Sequence, residues 1–306
     1  MWPTLIRRVL VTLPTVLAVV TVCFVLLHAT PGGPFDSERH VSPAVLANLQ
    51  AKYHLDRSPW QQYLFYLDSL AHGDLGASFR YADWSVNDLV AKALPVSLVV
   101  GGIAMAVSLV AGVALGIAAA LRRNSVVDYA VMIVGNVGSA VPSFVLGPLL
   151  VLLFAIEWRW LPSGGWDDFA PRYMVLPVLL LTLINMSVIG RVMRGSLLEV
   201  LSANYIRTAR AKGLPMRVVV LRHALRPALL PVVSLLGPLA ISSITSAIVT
   251  ETWFSLPGLG KLIVNGASNR DYTLVLGLVV LVTIVAVLLN LVVDLAYAWL
   301  DPRIRD

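Results

Sequence analysis

The sequence predicts an all-α polytopic membrane protein with six transmembrane helices, on the strength of its composition, its long apolar runs and the sorting of its cations. Of 306 residues, 58% are hydrophobic and only 13% are charged, against about 25% charged in an ordinary soluble domain. The mean hydropathy is +0.81. The charges sit in blocks between apolar runs long enough to cross a bilayer, which takes about 20 residues.

Residues 1–8 form a short basic start with Arg7 and Arg8, followed by the first span, Val9–Ala29. A signal peptide has an apolar core of about 7–15 residues and a small-residue cleavage site. This run is longer, and Pro31 follows Ala29-Thr30, so it reads as a retained anchor. The segment 30–95 has mixed polarity and reads as a small folded cap. It holds a Pro31-Gly32-Gly33-Pro34 turn, a helix opened by Ser42-Pro43 and running through Lys52, and a second helix over Trp60–Leu70 broken by Gly73-Asp74-Leu75-Gly76.

Span two is Val96–Leu121 and span three Tyr129–Ile156. The loop 157–172 carries Trp158, Trp160 and Trp166, and tryptophan at this depth anchors a chain in the membrane interface. Span four is Tyr173–Met193, followed by the basic segment 194–227 and span five, Ala228–Thr250. A loop over 251–272, span six over Thr273–Trp299 and a tail over 300–306 complete the chain. The core over 95–299 shows no internal repeat, unlike many secondary transporters.

Lys and Arg concentrate on the cytoplasmic side of membrane proteins. With the N-terminus inside, fourteen of the 23 cations are cytoplasmic, and twelve of the 17 acids are outside. Both termini are therefore expected in the cytoplasm, with the cap and the loops 157–172 and 251–272 outside. Clustered cations also suit nucleic acid, but here they lack interleaved stacking aromatics, so no nucleic-acid partner is expected. The lone Cys23 lies in an apolar run and excludes an intrachain disulfide.

The segment Asn204–Pro231 stands out, with Arg207, Arg210, Lys212, Arg217, Arg222 and Arg226 between two spans. It reads as two short helices joined at Gly213, which can adopt the left-handed turn that ends a helix. Pro215 suits the first turn of the second helix. Ala209, Ala211 and Gly213 keep one face small, so a partner could approach the backbone there. The rival reading is an ordinary cytoplasmic loop obeying the charge rule.

These blocks resemble the B-type permease subunit of oligopeptide importers of the ATP-binding cassette class. The matching stretches are Ile6–Leu10 with Pro14, Pro31–Phe35, Ala51–Arg57, His72–Gly76, Ser85–Val90, Trp160–Trp166, Arg207–Pro215, Leu256–Gly260, Asn269–Tyr272 and Asp301–Arg305. The wider permease pattern is Glu-Ala-Ala, a Gly, then Ile-x-Leu-Pro. Here the triplet is Arg207-Thr208-Ala209, the glycine is Gly213, and Arg226 stands where the proline belongs, with Pro227 one place later.

The resemblance implies a type I importer permease fold in a bacterial cytoplasmic (inner) membrane. It implies a homologous C-type permease partner, two cytoplasmic ATPase subunits, an extracytoplasmic peptide-binding protein and a peptide substrate. Arg207, Thr208, Ala209, Arg210, Ala211, Lys212, Gly213 and Leu214 would then contact an ATPase, converting its closure into rocking of the spans. Dipeptides, murein peptides and metal complexes are alternative cargoes, and a stand-alone proton-coupled transporter is the alternative class.

Neither a cofactor nor a metal is expected on this chain; ATP and Mg belong to the partner ATPases. Gly260-Lys261 lacks the first P-loop glycine (Ser255) and the following Ser or Thr (Leu262), and the hydrolase motifs His-Glu-x-x-His and Gly-x-Ser-x-Gly are missing, so no catalytic residue is expected. Asn136, Ser139, Ser143, Asn185, Ser242, Ser243, Thr245 and Ser246 either line a hydrated path or pack helices closely. Asp294 reads as a structural ion-pair partner, with a proton relay as the alternative, and His28 as an interfacial residue, with a ligand role as the alternative. Asp74, Arg270 and Asp271 either touch the binding protein or cap local turns.

Overall fold

The computed structural model describes residues 2–30, 55–81 and 83–300. The elements are helical: α1 (Trp2–Ala29), α2 (Pro59–Ala71), α3 (Val86–Leu121), α4 (Val126–Ala140), α5 (Ser143–Val151), α6 (Pro171–Ser202), α7 (Asn204–Ala211), α8 (Met216–Val218), α9 (Leu225–Trp253), α10 (Leu259–Ser268) and α11 (Tyr272–Leu300). The π-helical turn Leu152–Glu157 extends α5, and another, Val219–Ala224, joins α8 to α9.

Among the described residues, five stretches are long and apolar enough to cross a membrane: Thr12–Ala29, Val86–Leu121, Pro171–Ser202, Met216–Ala240 and Tyr272–Val293. The third predicted span, Tyr129–Ile156, is instead two shorter helices. Pro142 has no N–H to donate, and a residue before proline is pushed out of the helical region. Val141 accordingly has ψ 121°, and the chain re-enters a helix when Val145 and Leu146 donate to the Pro142 carbonyl. The Pro31–Phe35 turn, the helix expected from Ser42 to Lys52 and the Asp301–Arg305 block lie outside the described residues.

The chain divides into two compact units, Met1–Ser97 with Pro257–Val287, and Leu98–Leu256 with Leu288–Asp306. In the first, α2 begins at a capping box in which Ser58 and Gln61 each accept the other's backbone N–H. Its aromatic face packs on α1: Tyr66 joins Val20, Phe24, Leu276 and Val280 in one buried cluster. Tyr63 shares a 2.6 Å hydrogen bond with Thr21, and His28 contacts the Phe24 carbonyl and Gln62 through its two ring nitrogens. A second cluster gathers Val86, Val90, Ala93, Leu259, Leu274 and Leu278.

The core of the second unit centres on α6, whose Ile189, Met193 and Leu197 are fully buried with Val219, Ala224, Ala228 and Val232. Glycines bring helices into backbone contact. A Cβ on Gly116 of α3 would stand 2.7 Å from the Gly190 carbonyl of α6, and one on Gly138 of α4 2.7 Å from the Leu183 carbonyl. Close approach through small residues is how helices associate where lipid removes the hydrophobic drive.

Candidate functional site

The basic segment folds as a helical hairpin whose two sides differ. Helix α6 stops at Ser202 because Ala203 is extended (φ −67°, ψ 150°), and α7 starts immediately afterwards. Ile206 and Ala209 fall three residues apart on one face of α7, 0% and 7% exposed, in the cluster that holds Met193, Leu197 and Val219. Arg207, Thr208, Arg210, Ala211, Lys212, Gly213 and Leu214 are exposed. Ala209 thus corrects the expectation of a small outward face: it lies on the underside, packed into the core.

Gly213 has φ +74° and donates its N–H to the Arg210 carbonyl at 2.9 Å, ending α7 in the left-handed turn expected. A Cβ there would meet nothing within 4 Å, so the constraint on this glycine is its backbone. Pro215 stands one place before α8, and its carbonyl accepts from Val218 and Val219. Arg217, Arg222 and Arg226 are exposed as the chain returns towards α9.

Of the residues read as path or packing whose side chains are described, the structure brings two together. Asn185 of α6, 3% exposed, donates Nδ2–H to Ser243 Oγ of α9 at 2.9 Å. Such an interhelical bond is what the packing alternative expects. Ser242 is exposed and donates to the Leu239 carbonyl, while Ser143 is the half-buried first residue of α5. Asn136 and Ser139 lie on α4 and Thr245 and Ser246 on α9; their side chains, like that of Asp294, lie outside the described residues.

The outer candidates separate sharply. Asp271 is fully buried at the N-terminus of α11. Its Oδ2 accepts from Ser78 Oγ at 2.5 Å and from the Arg80 N–H at 3.3 Å, and its Oδ1 from the N–H groups of Phe79 and Leu274, each at 3.2 Å. It therefore takes the capping alternative, holding a loop nearly 200 positions away in sequence. Arg80 adds a bond from Nε to the Asn269 carbonyl, and Arg270 is half-buried at φ +56°. Asp74 is exposed and accepts the Gly76 N–H at 2.9 Å, closing a local turn.

Sequence reasoning missed a buried ion pair. Arg194 of α6 donates Nε–H to Asp128 Oδ1 at 2.5 Å and Nη2–H to Oδ2 at 2.7 Å. Asp128 sits in the first turn of α4, with its side chain 3% exposed against 24% for Arg194. Ser125 Oγ accepts the Asp128 N–H, and Asp128 Oδ2 accepts the Asn124 N–H. The local signal was Ser125-x-x-Asp128 ahead of an apolar run, a helix-start pattern; the pairing across 66 positions has no local signature.

Residues 112–306 match the family described as "Binding-protein-dependent transport system inner membrane component". The chain is 51% identical over 299 residues to the oligopeptide transport system permease protein OppB of Haemophilus influenzae, covering 98% of both chains. It is 50% identical over 301 residues to OppB of Escherichia coli K12, again covering 98% of both. The dipeptide transport system permease protein DppB of Bacillus subtilis is 41% identical, with 98% of this chain and 97% of that protein covered. Among solved structures, a chain of the inward-facing MetNI methionine ABC transporter superposes with a TM-score of 0.59 at 18% identity, covering 70% of this chain and 96% of that one. At that identity the likeness is one of fold.

Proposed function

This chain belongs to the binding-protein-dependent transport system inner membrane component family, as an oligopeptide ABC importer permease, and we propose that it carries oligopeptides inward by alternating access, driven by ATP hydrolysis on partner chains. It is a multi-pass inner-membrane protein. In this proposal it crosses the membrane six times, the α4–α5 pair broken at Pro142 making one crossing. Both termini and the α7 hairpin face the cytoplasm, and the segment 30–95 forms an outer cap. A homologous C-type permease, two ATPase subunits and an outer peptide-binding protein complete the importer.

The observation that carries the coupling reading is the two-sidedness of α7. Ile206 and Ala209 fasten it to the core, while Arg207, Thr208, Arg210 and Ala211 stand exposed and Lys212, Gly213 and Leu214 continue that face. A lever that passes force between subunits needs one anchored side and one open side. In this reading the energy arrives through such a contact, since the sequence has no P-loop of its own. Oligopeptides are favoured over dipeptides because relatives at 50–51% identity are named for oligopeptides, whereas a relative named for dipeptides stands at 41%.

Reconstitution of the complex in liposomes, with the binding protein outside and ATP inside, tests the proposal. Uptake of a labelled tri-alanine peptide should require ATP and both ATPases and should continue when the proton gradient is collapsed. Uptake without ATPases that vanishes with the proton gradient would establish the proton-coupled alternative instead.

A further inference from the structure

We propose that the Asp128–Arg194 fork is a strut that carries displacement of α7 into α4, making Asp128 a positioning residue for transport. The inference rests on α7 being the ATPase contact. Burial of Ile206 and Ala209 beside Met193 and Leu197 ties α7 to the last turns of α6, and close-packed cores move as bodies because they resist deformation. Arg194, next to Met193, leaves that cluster and reaches across to α4.

The fork grips α4 at its start. Asp128 belongs to the first turn of α4 and also holds the Asn124 N–H, so the turn between α3 and α4 is bound into the same joint. Two parallel N–H···O bonds fix direction as well as distance. Further along, α4 meets α6 again where Gly138 lies against the Leu183 carbonyl. With contacts at both places, α4 cannot lag behind a tilt of α6. These two helices carry Asn136 and Asn185, residues read as path or packing.

A fork at this depth is not the cheapest way to join two apolar helices. Desolvating the charges offsets much of their attraction, and a well-packed apolar pair often serves stability as well. What an apolar pair lacks is a fixed direction. Lysine in place of Arg194 keeps the charge but loses the planar fork, so charge and geometry are separable.

The test uses the full reconstituted complex and reads labelled tri-alanine moved per ATP hydrolysed. Asp128→Asn and Arg194→Lys should each lower that ratio about tenfold, within the range of coupling changes produced by residues remote from a ligand. Asp128→Glu, which keeps the carboxylate, and the exchange Asp128→Arg with Arg194→Asp should each recover part of it. A wild-type ratio in Asp128→Asn and Arg194→Lys would overturn the strut. So would failure of both variants to assemble, because the pair would then serve the fold alone.

Ala211→Cys in a Cys23→Ser background, cross-linked to the ATPases in the same preparations, separates this proposal from its premise. Cross-links together with a wild-type ratio in the Asp128 variant defeat the strut only. No cross-link in the otherwise wild-type complex defeats the reading of α7, and the strut with it.

Discussion

The hairpin after α6 and the loop junction at the start of α11 put charge to opposite uses. At the hairpin, Arg207, Arg210 and Lys212 stand outward over an apolar underside of Ile206 and Ala209. At the junction, Asp271 turns inward and is saturated by Ser78, Phe79, Arg80 and Leu274. From sequence the hairpin reads as a docking site or an ordinary basic loop, and Asp271 as a docking residue or a turn cap. An exposed charge retains hydration that a partner can replace, whereas a buried, fully bonded carboxylate has no valence left for one. Burial and bonding separate a docking group from a structural one, where residue type alone does not.

Substitutions on the two sides should sharpen this contrast. The largest loss is expected from Asp271→Ala, which strands two buried donors, the Ser78 hydroxyl and the Leu274 N–H, at about 1–3 kcal/mol each and should cost about 4 kcal/mol of stability in total. Thermal unfolding in detergent would register it, and an unchanged Tm would return Asp271 to the docking reading. Ile206→Ala removes the anchor of α7 and should cost about 3 kcal/mol, as is usual for a large-to-small change in a core; faster local hydrogen exchange confined to 204–214 would mark it.

Ser243→Ala breaks the bond from Asn185 and should cost about 0.6 kcal/mol, the mean for interhelical bonds in membranes. If peptide uptake falls steeply while stability shifts by that little, the path reading gains and the packing reading loses. The smallest change in stability, within about 0.5 kcal/mol, is expected for Arg207→Gln with Arg210→Gln, as for exposed surface sites. ATP-driven uptake should nevertheless fall in that double variant. A parallel loss of Tm would show that the cations hold the hairpin together.

How much of this was legible depends on the range of the cause. The left-handed Gly213 and the end of α7 follow from one glycine in a short stretch, and they stand as expected. The inward position of Ala209 follows from its spacing to Ile206, but counting small residues along the segment obscured it. The break at Pro142 was written in Val141-Pro142 and hidden by reading an unbroken apolar run as one helix. Asp271 and the Asp128–Arg194 fork depend on chain returning from far away in sequence, and no periodicity reports that. Nor does composition distinguish an exposed Ser242 from a bonded Ser243 one position later.

The most direct test of α7 as the coupling element is Gly213→Glu, measured as labelled tri-alanine uptake and binding-protein-stimulated ATP hydrolysis in the assembled complex. A side chain at φ +74° is strained by about 1–2 kcal/mol, a Cβ there meets no atom within 4 Å, and the new carboxylate is placed among exposed cations. The complex should therefore still co-purify with its ATPases while uptake and stimulated hydrolysis are lost. Wild-type uptake in that variant would contradict the account.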